Sequence, residues 1–396
     1  MTGYKYGVNP LAPKATGRPR PMPQTPISAH EAAITYDAKV RRLFGMGLTI
    51  AFLSLITLGF YRFWGKTQIR RYLASRISIM GDRFEYTGTG RELFLGFLIA
   101  LVVLIPLGAA SYGIELITAG KSAVTQFMAM GFQYAFILFL IGYATFRARR
   151  YRLSRTALRS IRFWQTGSNV GYALRMVGYL ALTTATLGIA RPVGDIALYR
   201  YQMQHTWFGS QKFEFDGRAG PMMGKWILSL ALVPFTLGLS LIWYAAFRIR
   251  YLQSRTRYQG IGFSLAVTFG NLVRIYSIYA LVMTVLFCFF YGAIFAVAMP
   301  TIVQDQAVDA QGWIQANAMV LYGVGIGTAF VVFGLIAPIV QLLMLTHRFI
   351  RLVTNRLEFI GDVDLLTIIQ SAAERPQSGE GLADALDIGG GLEVGI

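Results

Sequence analysis

The 396-residue chain is short of charge: only 14% of its residues are Asp, Glu, Lys or Arg, where a soluble chain carries about 25%. Acid is scarcer still, with 19 Asp and Glu against 37 Lys and Arg. The first deficit excludes an ordinary soluble globule and points to the membrane class. The second leaves a net charge of +18. Among so many apolar runs, that excess reads as the cytoplasmic bias of a membrane protein rather than a nucleic-acid footprint. A single cysteine, Cys288, excludes an intrachain disulfide and a thiolate metal site. Three histidines, His30, His205 and His347, lie far apart in sequence. There is no Ser-His-Asp order, HExxH or cysteine cluster, so neither an enzyme nor a cofactor or metal site is expected. The N-terminus has no apolar h-region and does not read as a signal peptide. Residues 1–38, Pro-rich, and 372–396, acidic and Gly-rich, are expected to be disordered tails.

What is present is long apolar runs. A span needs roughly 20 mostly apolar residues, and seven stretches qualify: about 43–63, 93–116, 124–146, 170–190, 222–247, 271–299 and 316–346. The fold expected is therefore an all-α polytopic membrane protein of about seven transmembrane helices, with internal repeats carrying amphipathic segments and short β-hairpins at the membrane surface. Between the spans a pattern returns with a period of fifty. Arg150-Tyr151, Arg200-Tyr201 and Arg250-Tyr251 coincide, as do Phe163, Phe213 and Phe263. The stretch "TLGFYRFWGKTQIRRYLASRISIMGDRFEYTGTG" brings Arg71-Tyr72 and Phe84 at the same offsets. The modules run over 57–92, 142–170, 186–221, 236–270 and, degenerate, 346–371, within a transmembrane domain of 39–371. Each reads as an apolar helix ending near Thr-Leu-Gly, a basic amphipathic segment suited to the headgroup level, and a hairpin such as "HTWF-GS-QKFEFDG". Gly81-Asp82 and Gly209-Ser210 at the turns suit type II′ geometry.

Residues 147–169 carry seven arginines and no acid, so that loop should be cytoplasmic. The module at 191–221 is depleted of positive charge. If the fourth and fifth spans both cross, it lies on the opposite side, inverted relative to its neighbours. Lys39, Arg41 and Arg42 disagree with a simple count, which leaves open whether 43–63 crosses. Gly65-Lys66-Thr67 resembles the end of a phosphate loop but lacks its first glycine, since position 60 is Phe60. The acid pairs Asp82 and Glu85, Glu214 and Asp216, and Asp362 and Asp364 stand beside arginines and lysines and read as solvated ion pairs. Arg175, Lys225 and Arg274 recur at one repeat position near the start of a span. They are pathway residues if charge inside the membrane is functional, and snorkelling anchors otherwise. Arg71, Tyr72, Arg150, Tyr151, Arg250 and Tyr251 are the corresponding lipid-contact residues.

"LITLGFYRFWGKTQIRRYLASRISIMGDRFEYTGTGRELFLGFLIA" resembles the YjgN-like family of bacterial inner-membrane proteins of unknown function. The likeness lies in Ile56 through Tyr61, Trp64 to Lys66, Arg71-Tyr72, and Phe84 through Leu93, with Arg91 where the family has lysine. The resemblance implies a multi-pass protein of the bacterial inner membrane and brings no catalytic residue or cofactor. Two functions follow as expectations. One is a transporter or channel-like protein for a small solute, built from inverted repeats with Arg175 on its path. The other is a non-transporting envelope protein whose basic modules bind anionic phospholipid headgroups of the bilayer or a protein partner.

Overall fold

The computed structural model describes residues 34–303 and 333–361, together with Gly323, Gly327 and Val331. The described chain enters with a short strand, β1 (Ile34–Tyr36), and then repeats one unit, two helices followed by two strands. The first unit is α1 (Val40–Ile56), α2 (Arg62–Ala74), β2 (Ile77–Ile79) and β3 (Asp82–Tyr86). The second is α3 (Gly90–Thr118), α4 (Ala123–Ser154), β4 (Thr156–Leu158) and β5 (Ile161–Gln165). The third is α5 (Asn169–Ala185), α6 (Arg191–Gln204), β6 (Thr206–Phe208) and β7 (Gln211–Phe215). The fourth is α7 (Gly220–Thr236), α8 (Leu239–Ser254), β8 (Thr256–Tyr258) and β9 (Ile261–Leu265). The fifth has α9 (Phe269–Val303), α10 (Phe333–Thr354) and the single strand β10 (Leu357–Ile360). Within α10, Gln341–Thr346 winds as a π-helix.

The hairpins are not separate surface elements. A two-stranded ribbon leaves two unpaired edges and is marginal alone, and here each edge pairs with the next hairpin. The result is one ten-stranded antiparallel sheet in sequence order, β1 to β10. The same step recurs at every joint between units: Phe84 faces Leu158, Phe163 faces Phe208, Phe213 faces Tyr258, and Phe263 faces Phe359. Just beyond it, the N–H of the residue after the strand donates to the end of the following helix. These bonds are Thr87 to Arg155 O (2.8 Å), Thr166 to His205 O (2.9 Å), Asp216 to Arg255 O (3.2 Å) and Ala266 to Arg356 O (3.1 Å). A fifth copy belongs to β1: Ile34 faces Ile79, and Asp37 N–H donates to Arg76 O at 3.1 Å. β1 thus meets β2 in the register with which the second strand of each hairpin meets the next unit. Ile34–Tyr36, placed by the sequence in the tail of residues 1–38, thus form a strand; residues 1–33 and 372–396 lie outside the described residues.

The sheet curls into a barrel. Phe84, Leu158, Phe208, Tyr258 and Ile261 form one buried cluster, with Phe163, Phe213, Phe263 and Phe359 packed against it. Phe163 and Phe208 stack with centroids 4.4 Å apart, and Phe213 meets Tyr258 at 4.9 Å. These side chains point inward and occupy most of the interior, as in other small barrels. The Phe that recurs at each repeat is thus a barrel-core residue. At the seam, the Tyr36 hydroxyl lies 2.8 Å from His347 Nδ1, tying β1 to α10.

One turn sits a residue earlier than expected. Ile79 pairs with Asp82, so the first loop is Met80-Gly81, with φ of 53° and 86° as type I′ requires. The third loop is Gly209-Ser210, with positive φ at Gly209. The topology departs further from expectation. Because β6 and β7 lie between β5 and β8 in one sheet, the 191–221 module stands on the same side as its neighbours and is not inverted. Among the described residues, four helices are long and apolar enough to cross a membrane: Gly90–Thr118, Ala123–Ser154, Phe269–Gly292 and Phe333–Thr354. The other stretches read as spans are interrupted: α1 stops at Ile56, α5 at Ala185, and 222–247 divides between α7 and α8. The first part of the 316–346 stretch, Asp362 and Asp364 lie outside the described residues.

Candidate membrane interface and barrel cavity

The Arg-Tyr pair stands where the second helix of each unit reaches the sheet. Its arginine holds the hairpin of its own unit: Arg71 Nη2 donates to Gly88 O at 3.2 Å and Arg200 Nη2 to Gly217 O at 2.6 Å, while Arg150 reaches Gly167 O. Its tyrosine holds the start of its own unit, where the chain arrives from the preceding strand. Tyr201 accepts from Ser168 N–H at 2.9 Å and donates to Ser168 O at 3.1 Å. Tyr251 does the same with Arg218 N–H and O, both at 2.9 Å, and Tyr72 accepts from Lys39 N–H at 3.0 Å. Tyr151 instead donates to Glu92 Oε2 at 2.8 Å, and Arg155 Nη2 meets Glu92 Oε1 at 3.0 Å. The pair is a clasp between successive units, which explains why both residue types return together. Arg250 keeps the position but is exposed.

The glycines of the first unit serve close approach. A Cβ on Gly65 would lie 2.4 Å from Ile50 Cγ2, and one on Gly90 would lie 2.8 Å from Trp64 Cα. Gly65 therefore lets α2 cross α1 and belongs to no phosphate loop. The acids make the expected ion pairs in part: Asp82 with Arg159 at 3.1 Å and Asp216 with Arg257 at 3.9 Å.

Arg175, Lys225 and Arg274 lie on α5, α7 and α9 within the first two turns from the sheet, and all three are exposed. The Arg175 guanidinium covers the Tyr201 ring at 4.6 Å and donates to Gly171 O at 2.8 Å; Lys225 Nζ lies 3.8 Å from the Phe247 ring centre. These three cations thus ring the outside of the bundle just beyond the sheet, and none lines the barrel interior.

At the far end of the short helical pairs, Thr-Leu-Gly forms an apex. Leu58, Leu187 and Leu237 are 89%, 87% and 96% exposed and take φ of 50°, 51° and 49°. A left-handed leucine costs roughly 1–2 kcal/mol, and fully exposed it gains nothing in water. The threonine before it closes the backbone. Thr186 Oγ1 donates to Leu182 O at 2.9 Å and accepts from Ala190 N–H at 3.0 Å. Thr57 does the same with Leu53 O and Tyr61 N–H, and Thr236 with Leu232 O and Ser240 N–H. One hydroxyl caps both helices, so the turn leaves few backbone groups in need of water. That is the requirement a lipid interior imposes.

A cavity of about 140 Å³ lies inside the barrel, walled by residues of all ten strands and by α4, α6, α8 and α10. Its polar lining includes Arg149, Tyr199, Thr206, Gln253 and Thr256. Tyr199 and Thr256 hydroxyls are 3.2 Å apart, and Tyr258 donates to Phe208 O at 2.9 Å. Burial pushes both phenols above their usual range. Sequence reading missed Arg149 because attention fell on the Arg150-Tyr151 pair beside it. The signal was available: the residue before the pair is Arg70, Arg149, Tyr199, Ile249 and Ile350 in turn, a position that tolerates an aliphatic side chain.

Comparison with known proteins agrees with this picture of a helical membrane domain. A family described as "Bacterial protein of unknown function (DUF898)" matches residues 31–385. The inner membrane protein YjgN of Salmonella typhimurium (strain LT2) is 23% identical over 334 residues, covering 76% of this chain and 84% of that protein. No solved structure matches.

Proposed function

The chain belongs to the DUF898 family, and from that premise we propose that it is a non-transporting protein of the bacterial inner membrane. In this reading it presents a β-barrel on the cytoplasmic face and grips anionic phospholipid headgroups. The observation that carries this reading is the single sheet, which sets every unit on one side of the helices. The two long helical pairs cross and return. The three short pairs dip into the near leaflet on their Thr-Leu-Gly apices, where an exposed left-handed leucine gains an apolar surrounding. The side is chosen by the arginines of 147–169. Aromatic side chains narrow the barrel interior to a cavity of about 140 Å³, which favours this reading over conduction along the barrel axis. The transport reading also loses the inverted repeats on which it leaned. Arg175, Lys225 and Arg274 are then headgroup contacts, their stems on the apolar helices and their charges at the phosphate level. The relative named as an inner membrane protein supports the location.

The test is labelling with a membrane-impermeant thiol reagent of single cysteines at Gln202 and Ser210, in a Cys288→Ser background. Both sites should stay protected in intact cells and react after lysis. Reaction from outside would end the reading. In parallel, removing anionic lipid from nanodiscs should lower the melting temperature, and the effect should weaken with salt.

A further inference from the structure

We infer that the barrel cavity is a binding site for a small carboxylate carried on an apolar body. The argument begins with a charge in the wrong place. Arg149 is 7% exposed and borders the cavity, and its Nε has no hydrogen-bond partner among the described residues. No Asp or Glu lines the cavity to neutralise it. A guanidinium does not deprotonate in a protein, and a buried unpaired charge costs several kcal/mol. The fold does not demand it. At the same repeat position the fourth and fifth units carry Ile249 and Ile350, which pack into apolar clusters. The second unit therefore keeps a buried cation where the fourth and fifth keep an aliphatic chain, the first carrying Arg70 and the third Tyr199.

A second unpartnered polar group stands on β5, outside the cavity wall. Gln165 is 5% exposed, and both its amide oxygen and nitrogen lack partners among the described residues. It stands at the exit of β5, the register position held by Tyr86, Phe215 and Leu265 in the other units. Apart from Arg149, a few hydroxyls and Gln253, the cavity wall is apolar, with Phe84, Phe163, Phe208, Phe213, Phe263 and Phe359 among aliphatic side chains. That wall excludes a heavily hydrated anion, because inorganic phosphate would find too few donors there. It suits a ligand whose one charged end meets the guanidinium and whose remainder is hydrocarbon. The volume of about 140 Å³ is close to the roughly 150 Å³ known to accept benzene, which sets the body at about six carbons. This inference does not depend on which side of the membrane the barrel faces.

The experiment is thermal unfolding of the full chain in lipid nanodiscs with three probes: hexanoate, hexan-1-ol and inorganic phosphate. Hexanoate should raise the melting temperature with saturation, while the alcohol and phosphate should not. Arg149→Met should melt higher than the native protein without ligand, and bind hexanoate about tenfold more weakly or worse. Arg149→Lys should retain most of the affinity. Equal stabilisation by hexan-1-ol, stabilisation by phosphate, no response to hexanoate, or undiminished binding by Arg149→Met would each overturn the assignment. If Arg149→Met does not fold, the probe series on the native chain and Arg149→Lys still decides it.

Discussion

The α3–α4 and α5–α6 pairs rise from the same base and reach different heights. α3 and α4 have 29 and 32 residues, α5 and α6 have 17 and 14. At about 1.5 Å per residue, the longer pair is long enough to pass through a hydrocarbon core of about 30 Å. The shorter one, part of whose length lies against the sheet, is not. Their bases are alike: Thr89 and Ser168 cap α3 and α5, accepting from Glu92 N–H and Gly171 N–H. Their apices differ in kind. The long pair turns through Ala119-Gly120-Lys121-Ser122, with Ser122 capping α4 by accepting from Thr125 N–H, a turn fit for water. The short pair turns through Thr186-Leu187-Gly188, closed on itself. The contrast separates two jobs within one repeated unit: the base builds the barrel, and the apex sets the depth.

The strongest break of that comparison is a charge at each apex. Leu187→Arg should destabilise the protein in nanodiscs by about 2–3 kcal/mol, near the cost of arginine inside a bilayer. Ser122→Arg should change stability by less than about 0.5 kcal/mol beyond the loss of its cap. Equal effects at the two sites would refute the difference in depth. Next comes Thr186→Val, which removes the acceptor for Ala190 N–H and should cost about 1 kcal/mol. In detergent-free bilayers that loss should be larger than in micelles that wet the apex. The bases should behave alike. Glu92→Gln, which weakens the contacts of Arg155 and Tyr151, and Tyr201→Phe, which removes two bonds to Ser168, should each cost about 1 kcal/mol in a denaturation series. A base change that matters in one unit only would show that the clasp is not shared. The smallest effect belongs to Arg175→Ala. Melting should move by less than about 0.5 kcal/mol, while the dependence on anionic lipid should weaken.

Much of the unit was legible because its parts are local. The Arg-Tyr pair, the recurrent Phe and the Thr-Leu-Gly stop sit at fixed spacing along the chain, and each proved to occupy one structural position. What hydropathy missed was depth. The runs at 170–190 and 222–247 are apolar enough to read as spans, yet one Thr-Leu-Gly turn sends each chain back. Position of charge misled as well: the depleted charge of 191–221 suggested the opposite side, whereas Asp195 pairs with Arg248 of the next unit at 3.1 Å. The barrel could not be read at all. Pairing of one hairpin with the next is a long-range choice, and β1, three residues in an apparent tail, gives no local signal. Arg149 was hidden for the opposite reason, lying next to a stronger pattern.

The place of β1 bears on how the chain is made. Emerging first from the ribosome, it can pair with β2 as soon as residue 79 has followed. Every later hairpin then docks on the one synthesised just before it, so the ladders are never far apart in time. Until β10 arrives, however, the growing sheet keeps an unpaired leading edge, the sort of surface that invites another chain. Assembly should therefore be sequential and, while that edge is open, exposed to misjoining between neighbouring copies.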